Sequence, residues 1–251
     1  MISLKNKNVL ITGGSRGIGK ACVKIFLDAG ANVAFTFRSA KEEAEKVLAE
    51  YDGTNLLKHY QVDLSDKHQI NKAVGSILDE FKTIDVLVNN AGIWKEAAID
   101  KMTLDEWNEM MNINLTSIYL LSHLIVPAMK QNNFGRIINI ASTAGQRGEA
   151  NHAHYAASKG AVISLTKSLA SELGENNITV NCVAPGWVIT DMTTESLADS
   201  DTNKKVLSDT ALKKVAQPEE IAGPVLFLAS ELASHITGEI LNVNGGSVLC
   251  G

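Results

Sequence analysis

The sequence predicts an α/β fold, in which a single domain is built on a doubly wound parallel sheet of about seven strands. Short β-branched runs alternate with longer helical patterns along the 251 residues, and such alternation is typical of parallel strands joined by crossover helices. A chain of this length that is 45% hydrophobic can bury one large core. Since no repeat, low-complexity tract or linker interrupts the pattern, residues 1–251 are predicted to form one domain.

A glycine-rich segment joins the first predicted strand to the first helix. Asn8–Ile11 is a short apolar run, typical of a buried parallel strand. It leads into Gly13-x-x-x-Gly17-x-Gly19. Glycines let the backbone turn tightly and approach a pyrophosphate, which then binds the free amides of the following helix. The spacing differs from the usual G-x-G-x-x-G, but its position between a strand and a helix favours dinucleotide binding over a plain turn.

The remaining strands and the two longest helices follow in order along the chain. The predicted strands are Asn32–Phe37, Leu56–Val62, Ile84–Asn89, Arg136–Ala141, Thr179–Val183 and Ile240–Val243. The two longest helical patterns are Thr103–Gln131 and His154–Leu173. Right-handed crossovers in such a sheet place a ligand at the carboxyl ends of the strands, near the switch in strand order.

Lys159 lies four positions after Tyr155 in a helical pattern, so both side chains project from one face of the helix. An ammonium about 4 Å from a phenol, at an effective dielectric constant near 20, stabilises the phenolate by roughly 4 kcal/mol. This predicts a tyrosine pKa lowered from about 10 towards neutrality, which suits proton exchange with an alcohol oxygen. Alone, the pair also fits an ordinary helix surface. Ser142, thirteen residues upstream of Tyr155, and Asn114 strengthen the catalytic interpretation.

Six motifs occur together in the order and spacing of the short-chain dehydrogenase/reductase family, and the chain resembles that family over essentially its whole length. The motifs are Gly13-x-x-x-Gly17-x-Gly19, Asn89-Asn90-Ala91-Gly92, Asn114, Ser142, Tyr155-x-x-x-Lys159 and Pro185-Gly186. Within the family, Asn181–Gly186 and Ile236–Gly246 most resemble the 3-oxoacyl-[acyl-carrier-protein] reductases. The resemblance implies a Rossmann-type fold and an NADPH-dependent oxidoreductase that interconverts a carbonyl and a secondary alcohol by hydride transfer.

The resemblance also implies the roles of four catalytic residues. Tyr155 would exchange a proton with the carbonyl oxygen, and Ser142 would polarise and position that oxygen. Lys159 would lower the pKa of the tyrosine and bond the nicotinamide ribose, with Asn114 holding a water behind it. The alternatives are that Ser142 is a turn or cap residue and that Asn114 bonds a neighbouring carbonyl.

Two arginines favour NADP(H) over NAD(H) as the cofactor. An NAD enzyme usually carries Asp or Glu about twenty residues after the glycines, whereas no acid precedes Glu42 in this region. Arg38 and Arg16 are present instead, and two guanidiniums can clamp a 2′-phosphate. The alternative is that Arg38 is a solvated residue at the end of a strand.

Other cofactor contacts follow from the resemblance. Asp63 would bond the adenine amino group, or alternatively cap the helix that begins near Asp66. Pro185-Gly186 would cover the nicotinamide, with Val188 and Thr190 beside it. The predicted cofactor-binding residues are Gly13, Ser15, Arg16, Gly17, Ile18, Gly19, Arg38, Asp63, Leu64, Asn90, Ala91, Gly92, Tyr155, Lys159, Pro185, Gly186, Val188 and Thr190.

Three segments are expected to line the substrate pocket. They are Trp94–Met102, Thr143–His154 and the polar stretch Thr190–Leu212, which is predicted to be a mobile lid. His152 and Trp187 are the side chains expected to face the substrate. His152 and His154 lack a third ligand for a metal, so no metal site is predicted.

The substrate itself stays open at this point. Carrier-protein reductases usually have arginines on the turns before the fifth and sixth strands, but here these turns are Lys130–Phe134 and Gly174–Asn177, and the second has no basic residue. The main prediction is a 3-oxoacyl-thioester substrate in fatty acid biosynthesis, and the alternative is a small ketone, sugar or polyol. A non-catalytic dinucleotide-binding scaffold is a remote alternative, because it would need neither Tyr155 nor Lys159.

Composition limits the partners and the location. A net charge of −5 without a basic cluster argues against binding to nucleic acid. The sequence has no apolar stretch of 18 residues, so no membrane span is predicted. No apolar signal segment precedes the first strand. Cys22, Cys182 and Cys250 are far apart and are interpreted as reduced thiols of a cytoplasmic protein.

The two longest helical patterns carry more apolar residues than one sheet face needs. These residues include Met110, Ile113, Ile118, Leu121, Ile163, Leu165 and Leu169. By family resemblance the two helices pair with their copies across a two-fold axis. The last strand with Gly245–Gly251 would form a second interface, so a homotetramer is predicted, with a monomer as the alternative.

Overall fold

A computed structural model describes residues 2–51 and 53–249. Its centre is a seven-stranded sheet in the order β3-β2-β1-β4-β5-β6-β7, in which every pairing is parallel. This confirms the predicted α/β fold class. The strands are β1 Asn8–Ile11, β2 Asn32–Phe37, β3 Leu57–Gln61, β4 Val86–Asn89, β5 Gly135–Ile140, β6 Ile178–Pro185 and β7 Ile240–Val243.

Helices connect the strands and cover both faces of the sheet. They are α1 Gly17–Asp28, α2 Lys41–Ala49, α3 Lys67–Phe81, α4 Leu104–Met111, α5 Ser117–Gln131, α6 Ala144–Arg147, α7 Ala153–Leu173, α8 Thr194–Ala198, α9 Ser200–Asp209 and α10 Pro218–Ala229. A π-helical turn spans Asn112–Thr116, and 3₁₀ turns span Gly174–Asn176 and Glu231–Ala233.

Successive residues of a strand face opposite sides of the sheet, and β1 shows how this divides the core. Val9 and Ile11 pack with Phe26 of α1 and Val225 of α10 on one face. Leu10 lies between them and packs on the other face, in the cluster formed with α3, α5 and α7. All three β1 residues are fully buried. Two hydrophobic layers therefore enclose the sheet and fix the positions of the strand ends.

The strand order reverses between β2-β1 and β4-β5, with β1 paired to both β2 and β4. The crossovers from these strands leave to opposite sides, so a crevice opens at the carboxyl end of β1. Thr12 and Gly14, which follow β1, still donate backbone hydrogen bonds to Val88 and Thr36. The glycine-rich segment is thus held at the switch in strand order.

The bounds of several strands differ from the predicted ones by one or two residues. The largest difference is at β6, which was predicted as Thr179–Val183 but continues to Pro185. Pro185 pairs with Val243 of β7, and its carbonyl accepts a hydrogen bond from the Thr143 amide at 3.0 Å. Proline is tolerated here because it ends the strand, where a ladder amide is no longer needed.

The prediction of one continuous helix over Thr103–Gln131 is wrong. Thr103 caps α4 through a reciprocal capping box with Glu106, and α4 ends at Met111. The π-helical turn then separates α4 from α5, with the Ser117 amide donating to the carbonyl of Asn112. The Ser117 hydroxyl also donates to the Ile113 carbonyl at 2.7 Å. Single π turns often occur at functional sites, and this one contains Asn114.

Fewer apolar side chains are left for contact with a second copy than the sequence predicted. Met110, Ile113, Ile118 and Leu121 are buried within the single chain, which corrects the expectation that they remain for a partner. Ile163, Leu165 and Leu169 on α7 are only half-buried, and they are the part of the surplus that is left.

The described residues include two of the three cysteines. Cys22 and Cys182 are free and buried, while Cys250 and Gly251 lie outside the described residues. In residues 2–51 and 53–249, no helix is long and apolar enough to cross a membrane. No cluster of three His, Cys, Asp or Glu side chains in the same residues could bind a metal ion.

Candidate active site

A cleft of about 300 Å³ lies at the carboxyl edge of the sheet, over the switch in strand order. All residues predicted to bind the cofactor line it, together with Ser142. It is also lined by residues that the sequence did not single out, namely Thr36, Phe37, Ser39, Ala40, Val62, Ile93, Ile113, Ile140, Ala141, Asp191, Met192 and Thr193. Residues from eight separate segments of the chain therefore meet in one cleft.

The glycines of the first turn permit a close approach of backbone to a ligand. Gly13 and Gly17 have φ values of +68° and +52°, in the left-handed region that favours glycine. A Cβ on Gly19 would overlap the carbonyl oxygen of Gly13. Arg16, the N-cap of α1, makes no side-chain capping hydrogen bond. The first amides of α1 are thus free to bind a phosphate.

Thr12 fastens the glycine-rich segment to the loop after β4. Its hydroxyl accepts hydrogen bonds from the amides of Asn90 and Ala91, both at 3.0 Å. The Asn90 side chain donates in return to the Thr12 carbonyl at 2.8 Å. Sequence reasoning missed Thr12, whose only signal was its position between the first strand and the glycines.

Arg38 and Asp63 line the cleft beyond the ends of β2 and β3. Hydrogen bonds from the hydroxyl and amide of Ser65 hold the pKa of Asp63 below its usual value, and the charge of Arg38 lowers it further. Asp66, not Asp63, caps α3 by accepting from the amides of His68 and Gln69. The capping alternative for Asp63 is therefore wrong.

Arg16, the other predicted clamp residue, forms an ion pair. Its guanidinium lies 3.2 Å from the carboxylate of Asp191, and both side chains are exposed. This pair spans the cleft from the glycine-rich segment to the stretch after β6. Within residues 2–51 and 53–249, no carboxylate lies within ion-pair distance of Arg38.

Ser142, Tyr155 and Lys159 meet at the inner end of the cleft. Ser142 follows β5, whereas Tyr155 and Lys159 lie one turn apart on α7. Gly145 permits this approach, because a Cβ there would lie 2.6 Å from the Lys159 backbone. The Lys159 ammonium lies 5.9 Å from the centre of the Tyr155 ring and donates to the Ile140 carbonyl at 2.7 Å.

The predicted lowering of the Tyr155 pKa towards neutrality is wrong for this structure. Burial raises the pKa of Tyr155 to about 12, opposed by a hydrogen bond with Ser142. Burial also lowers the pKa of Lys159 to about 8, slightly opposed by Cys182. Lys159 is buried, whereas Tyr155 is half-buried and lines the cleft. Desolvation disfavours the charged form of each group, and here it outweighs the attraction assumed from sequence.

Asn114 does not line the cleft, but it braces the loop after β4. Its side-chain oxygen accepts from the Ile93 amide at 2.8 Å, and its amide nitrogen donates to the Ile93 carbonyl at 2.9 Å. A Cβ on Gly92 would lie 3.2 Å from the Asn114 side-chain oxygen and 3.5 Å from the Lys159 nitrogen. Asn114 and Lys159 therefore lie close together, on the same side of Gly92.

Three aromatic rings from different segments of the chain meet near the carboxyl edge of the sheet. Trp94 and His152 stack with a centroid distance of 4.5 Å and an interplanar angle of 2°. Trp187 meets Trp94 edge-on, at 5.8 Å and 80°. The stretch predicted as a mobile lid, Thr190–Leu212, contains α8 and α9, and its mobility stays a prediction.

The fold and this cleft define a dinucleotide-dependent oxidoreductase of small molecules. A family model described as Enoyl-(Acyl carrier protein) reductase matches residues 13–247. The chain belongs to the short-chain dehydrogenase/reductase family.

Known proteins resemble this chain over almost its full length. A 3-oxoacyl-[acyl-carrier-protein] reductase FabG from Chlamydia trachomatis is 42% identical over 245 residues, covering 97% of this chain and 98% of the relative. A putative NAD(P)-dependent gluconate 5-dehydrogenase from Beutenbergia cavernae, with NADP bound at low occupancy, matches with a TM-score of 0.91 and 36% identity over 98% of each chain. A glucose/ribitol dehydrogenase of the same family from Brucella melitensis matches with a TM-score of 0.92 and 33% identity over 99% of each chain.

Proposed function

We propose that this protein is an NADPH-dependent reductase of 3-oxoacyl thioesters. The observation that carries the proposal is the meeting of Tyr155, Ser142 and Lys159 in the same cleft as the glycine-rich turn. The 42% identity to a 3-oxoacyl-[acyl-carrier-protein] reductase supports the substrate class. The product would be a 3-hydroxyacyl thioester, so the proposed role is a reductive step of fatty acid biosynthesis in the cytoplasm.

The residues of the cleft fit a dinucleotide. The left-handed glycines and the uncapped start of α1 suit a pyrophosphate, and Pro185 and Gly186 line the same cleft. When bound, the nicotinamide supplies hydride to a carbonyl carbon or accepts it from an alcohol. The preference for NADPH is supported by Arg38, which follows β2 and lines the cleft. Among the described residues, no carboxylate lies within ion-pair distance of it.

The proton chemistry follows from the partial desolvation of Tyr155. Its pKa near 12 keeps the phenol protonated at neutral pH, so Tyr155 is ready to donate a proton to a carbonyl oxygen. Lys159 carries a positive charge below about pH 8, and that charge stabilises the phenolate left behind. The Ser142 hydroxyl donates to the same carbonyl oxygen and holds it in place. Asn114 keeps the loop around Ile93 and Gly92 in the position that this geometry requires.

A second candidate is reduction of a small ketone, sugar or polyol-derived ketone. The turn Gly174–Asn177 before β6 has no basic residue. Arg136, at the start of β5, is 1% exposed and lies over the ring of Phe134, so it is not presented to an acidic carrier. The solved relatives named for gluconate and for glucose or ribitol favour this candidate further.

NADPH oxidation against a substrate panel tests the proposal. The panel contains acetoacetyl-coenzyme A, an acetoacetyl carrier-protein thioester, diketones and ketoses. The proposal predicts the highest kcat/KM with a 3-oxoacyl thioester. Turnover of ketoses alone would establish the second candidate instead, and turnover of no substrate would leave only the non-catalytic alternative.

Homotetramer formation belongs to the same proposal. It is supported by the half-buried apolar residues of α7, namely Ile163, Leu165 and Leu169, which a second copy would cover across a two-fold axis. The exposed Tyr119 on α5 would lie in the same contact. The second interface, formed by β7 and the residues after it, remains a prediction.

A further inference from the structure

Three polar side chains are joined by hydrogen bonds on the face of the sheet that α7 covers. The Asn89 side-chain amide on β4 donates to the side-chain oxygen of Asn139 on β5 at 2.8 Å. The Asn139 side-chain amide donates to the Thr166 hydroxyl on α7 at 3.0 Å, and that hydroxyl donates to the Val162 carbonyl at 2.8 Å. We call these three side chains, Asn89, Asn139 and Thr166, the buried polar bridge.

The buried polar bridge is enclosed by apolar side chains. Its three members are at most 2% exposed. Asn139 lies between Ile137 and Ala141 on one face of β5, and both of these neighbours belong to hydrophobic clusters. Polar groups lose their hydration in such a place, and the hydrogen bonds among them return little net stability. Apolar side chains of the same shape could fill this space at little cost, so stability alone does not account for the bridge.

The bridge joins the three elements that carry the residues of the candidate active site. Asn89 ends β4, directly before the loop that lines the cleft, and Asn139 lies three residues before Ser142. Thr166 lies seven residues after Lys159 on α7, which is about two helical turns. A change in the bridge would therefore shift the parts of the active site relative to one another.

Two neighbouring residues of β5 bind α7 at two levels of the helix. The Asn139 side chain binds Thr166, and the Ile140 carbonyl accepts from the Lys159 ammonium at 2.7 Å. A hydrogen bond weakens steeply when its geometry changes, whereas the attraction between apolar side chains is non-directional. The two hydrogen bonds therefore fix the height of α7 along β5 more sharply than apolar packing would.

We propose that Asn139 and Thr166 are positioning residues for the reaction. Their hydrogen bond sets the register of α7 on β5, and this register places Tyr155 and Lys159 relative to Ser142. Neither Asn139 nor Thr166 lines the cleft, so both act through the residues that they hold. The inference rests on the proposed function only in that the proton transfer takes place at Tyr155.

Thr166→Val tests this inference, because valine keeps the branched shape of threonine but has no hydroxyl. Thr166→Ser is the matched control, since serine keeps the hydroxyl and lacks only the methyl group. Both variants should have a lower melting temperature, the first because the Asn139 amide is left unpaired and the second because a small cavity forms. Only Thr166→Val should lower kcat, by about tenfold or more, because small displacements of reacting groups are costly. The KM and the Kd for NADPH should stay within about twofold.

A double-mutant cycle separates this role from general damage to the core. Asn139→Ala removes the same hydrogen bond from the side of β5 and should lower kcat by a similar factor. Because both substitutions break one bond, the variant that carries both should have a kcat close to that of either single variant. Equal kcat values for Thr166→Val and Thr166→Ser, or losses that multiply in the double variant, would overturn the inference.

The outcome is separable from that of the proposed function. The cycle is measured with the best substrate of the panel, so turnover of ketoses alone would contradict the thioester proposal without affecting this test. If no substrate is turned over, crystal structures of the wild type and the two Thr166 variants provide the readout. A displaced α7 without the Lys159–Ile140 hydrogen bond in Thr166→Val, but not in Thr166→Ser, would support the inference. An unchanged position of α7 in Thr166→Val would overturn it.

Discussion

The Lys159 ammonium lies 5.9 Å from the centre of the Tyr155 ring, and the same nitrogen donates a 2.7 Å hydrogen bond to the Ile140 carbonyl. Lys159 is only 4% exposed. Burial moves the two pKa values apart, raising that of Tyr155 to about 12 and lowering that of Lys159 to about 8. The proposed proton donor, Tyr155, is thus a firmly protonated phenol, and the group that titrates near neutral pH is Lys159.

This relationship predicts the pH dependence of reduction. The kcat/KM for the ketone should fall as pH rises through about 8, because Lys159 loses the charge that stabilises the phenolate. The fall should approach about tenfold per pH unit above the pKa. A profile from pH 6 to 10, with the NADPH affinity measured at each point, checks this. A flat or rising profile would assign the titration to another group.

The same lysine links folding stability to pH. Its pKa is about 8 in the folded protein and 10.5 without burial, so between these values only the unfolded chain holds the proton. Stability therefore rises with pH over this window, by about 3 kcal/mol in all. Lys159→Met should remove that rise. Urea unfolding at pH 7.5 and pH 10 measures the free energy of unfolding of both proteins. If the wild type and the variant differ by the same amount at both pH values, burial does not lower the pKa of Lys159.

The coenzyme preference should depend on Arg38. Arg38→Asp places a carboxylate where the 2′-phosphate would bind, so NADPH affinity should fall about ten- to a hundredfold and NADH should become the better cofactor. Cofactor titration by fluorescence, with Arg147→Asp on the exposed surface of α6 as a charge control, measures this. If the wild type binds NADPH and NADH equally and Arg38→Asp has the same affinities, Arg38 does not bind the 2′-phosphate.

The Arg16–Asp191 ion pair should oppose NADPH binding. Asp191→Asn frees the Arg16 guanidinium, which lies 3.2 Å from Asp191, for the 2′-phosphate. Because both side chains are exposed, the gain in NADPH affinity should be modest, about two- to fivefold, and NADH affinity should not change. Weaker binding of both cofactors would show instead that the pair holds the cleft closed over the ligand.

Assembly can be tested at α7. Leu165 is half-buried in the single chain, so Leu165→Glu should break a contact between copies while leaving the sheet-facing core intact. Lys72→Glu, exposed on α3, is the charge control. Light scattering should give four times 26.9 kDa for the wild type and the control, and a smaller mass for Leu165→Glu. A wild-type monomer at micromolar concentration would exclude the tetramer.

The architecture could be predicted because its signals are local. Runs such as Asn8–Ile11 and Asn32–Phe37 are apolar and β-branched, and both are strands with the predicted bounds. The glycine spacing at Gly13 and Gly17 reflects left-handed backbone that other residues rarely adopt. These features depend on a few neighbouring residues, so the sequence alone is enough to recognise them.

The features that were missed depend on tertiary contacts. The π turn at Asn114 leaves the apolar pattern of the helix intact, so it has no separate periodicity to detect. The pKa of Tyr155 was predicted in the wrong direction because burial cannot be deduced from a four-residue spacing. The Thr12 hydrogen bonds join segments 78 and 79 residues apart, and the pairing of Arg16 with Asp191 spans 175 residues.

The central claim is that Tyr155 donates the proton to the substrate carbonyl. Tyr155→Phe removes the phenolic hydroxyl and keeps the ring, so the Kd for NADPH should stay within about twofold while kcat falls by about a hundredfold or more. The measurement is NADPH oxidation with the best substrate of the panel, beside a fluorescence titration of NADPH. Retention of near wild-type kcat by a folded Tyr155→Phe protein would contradict the account.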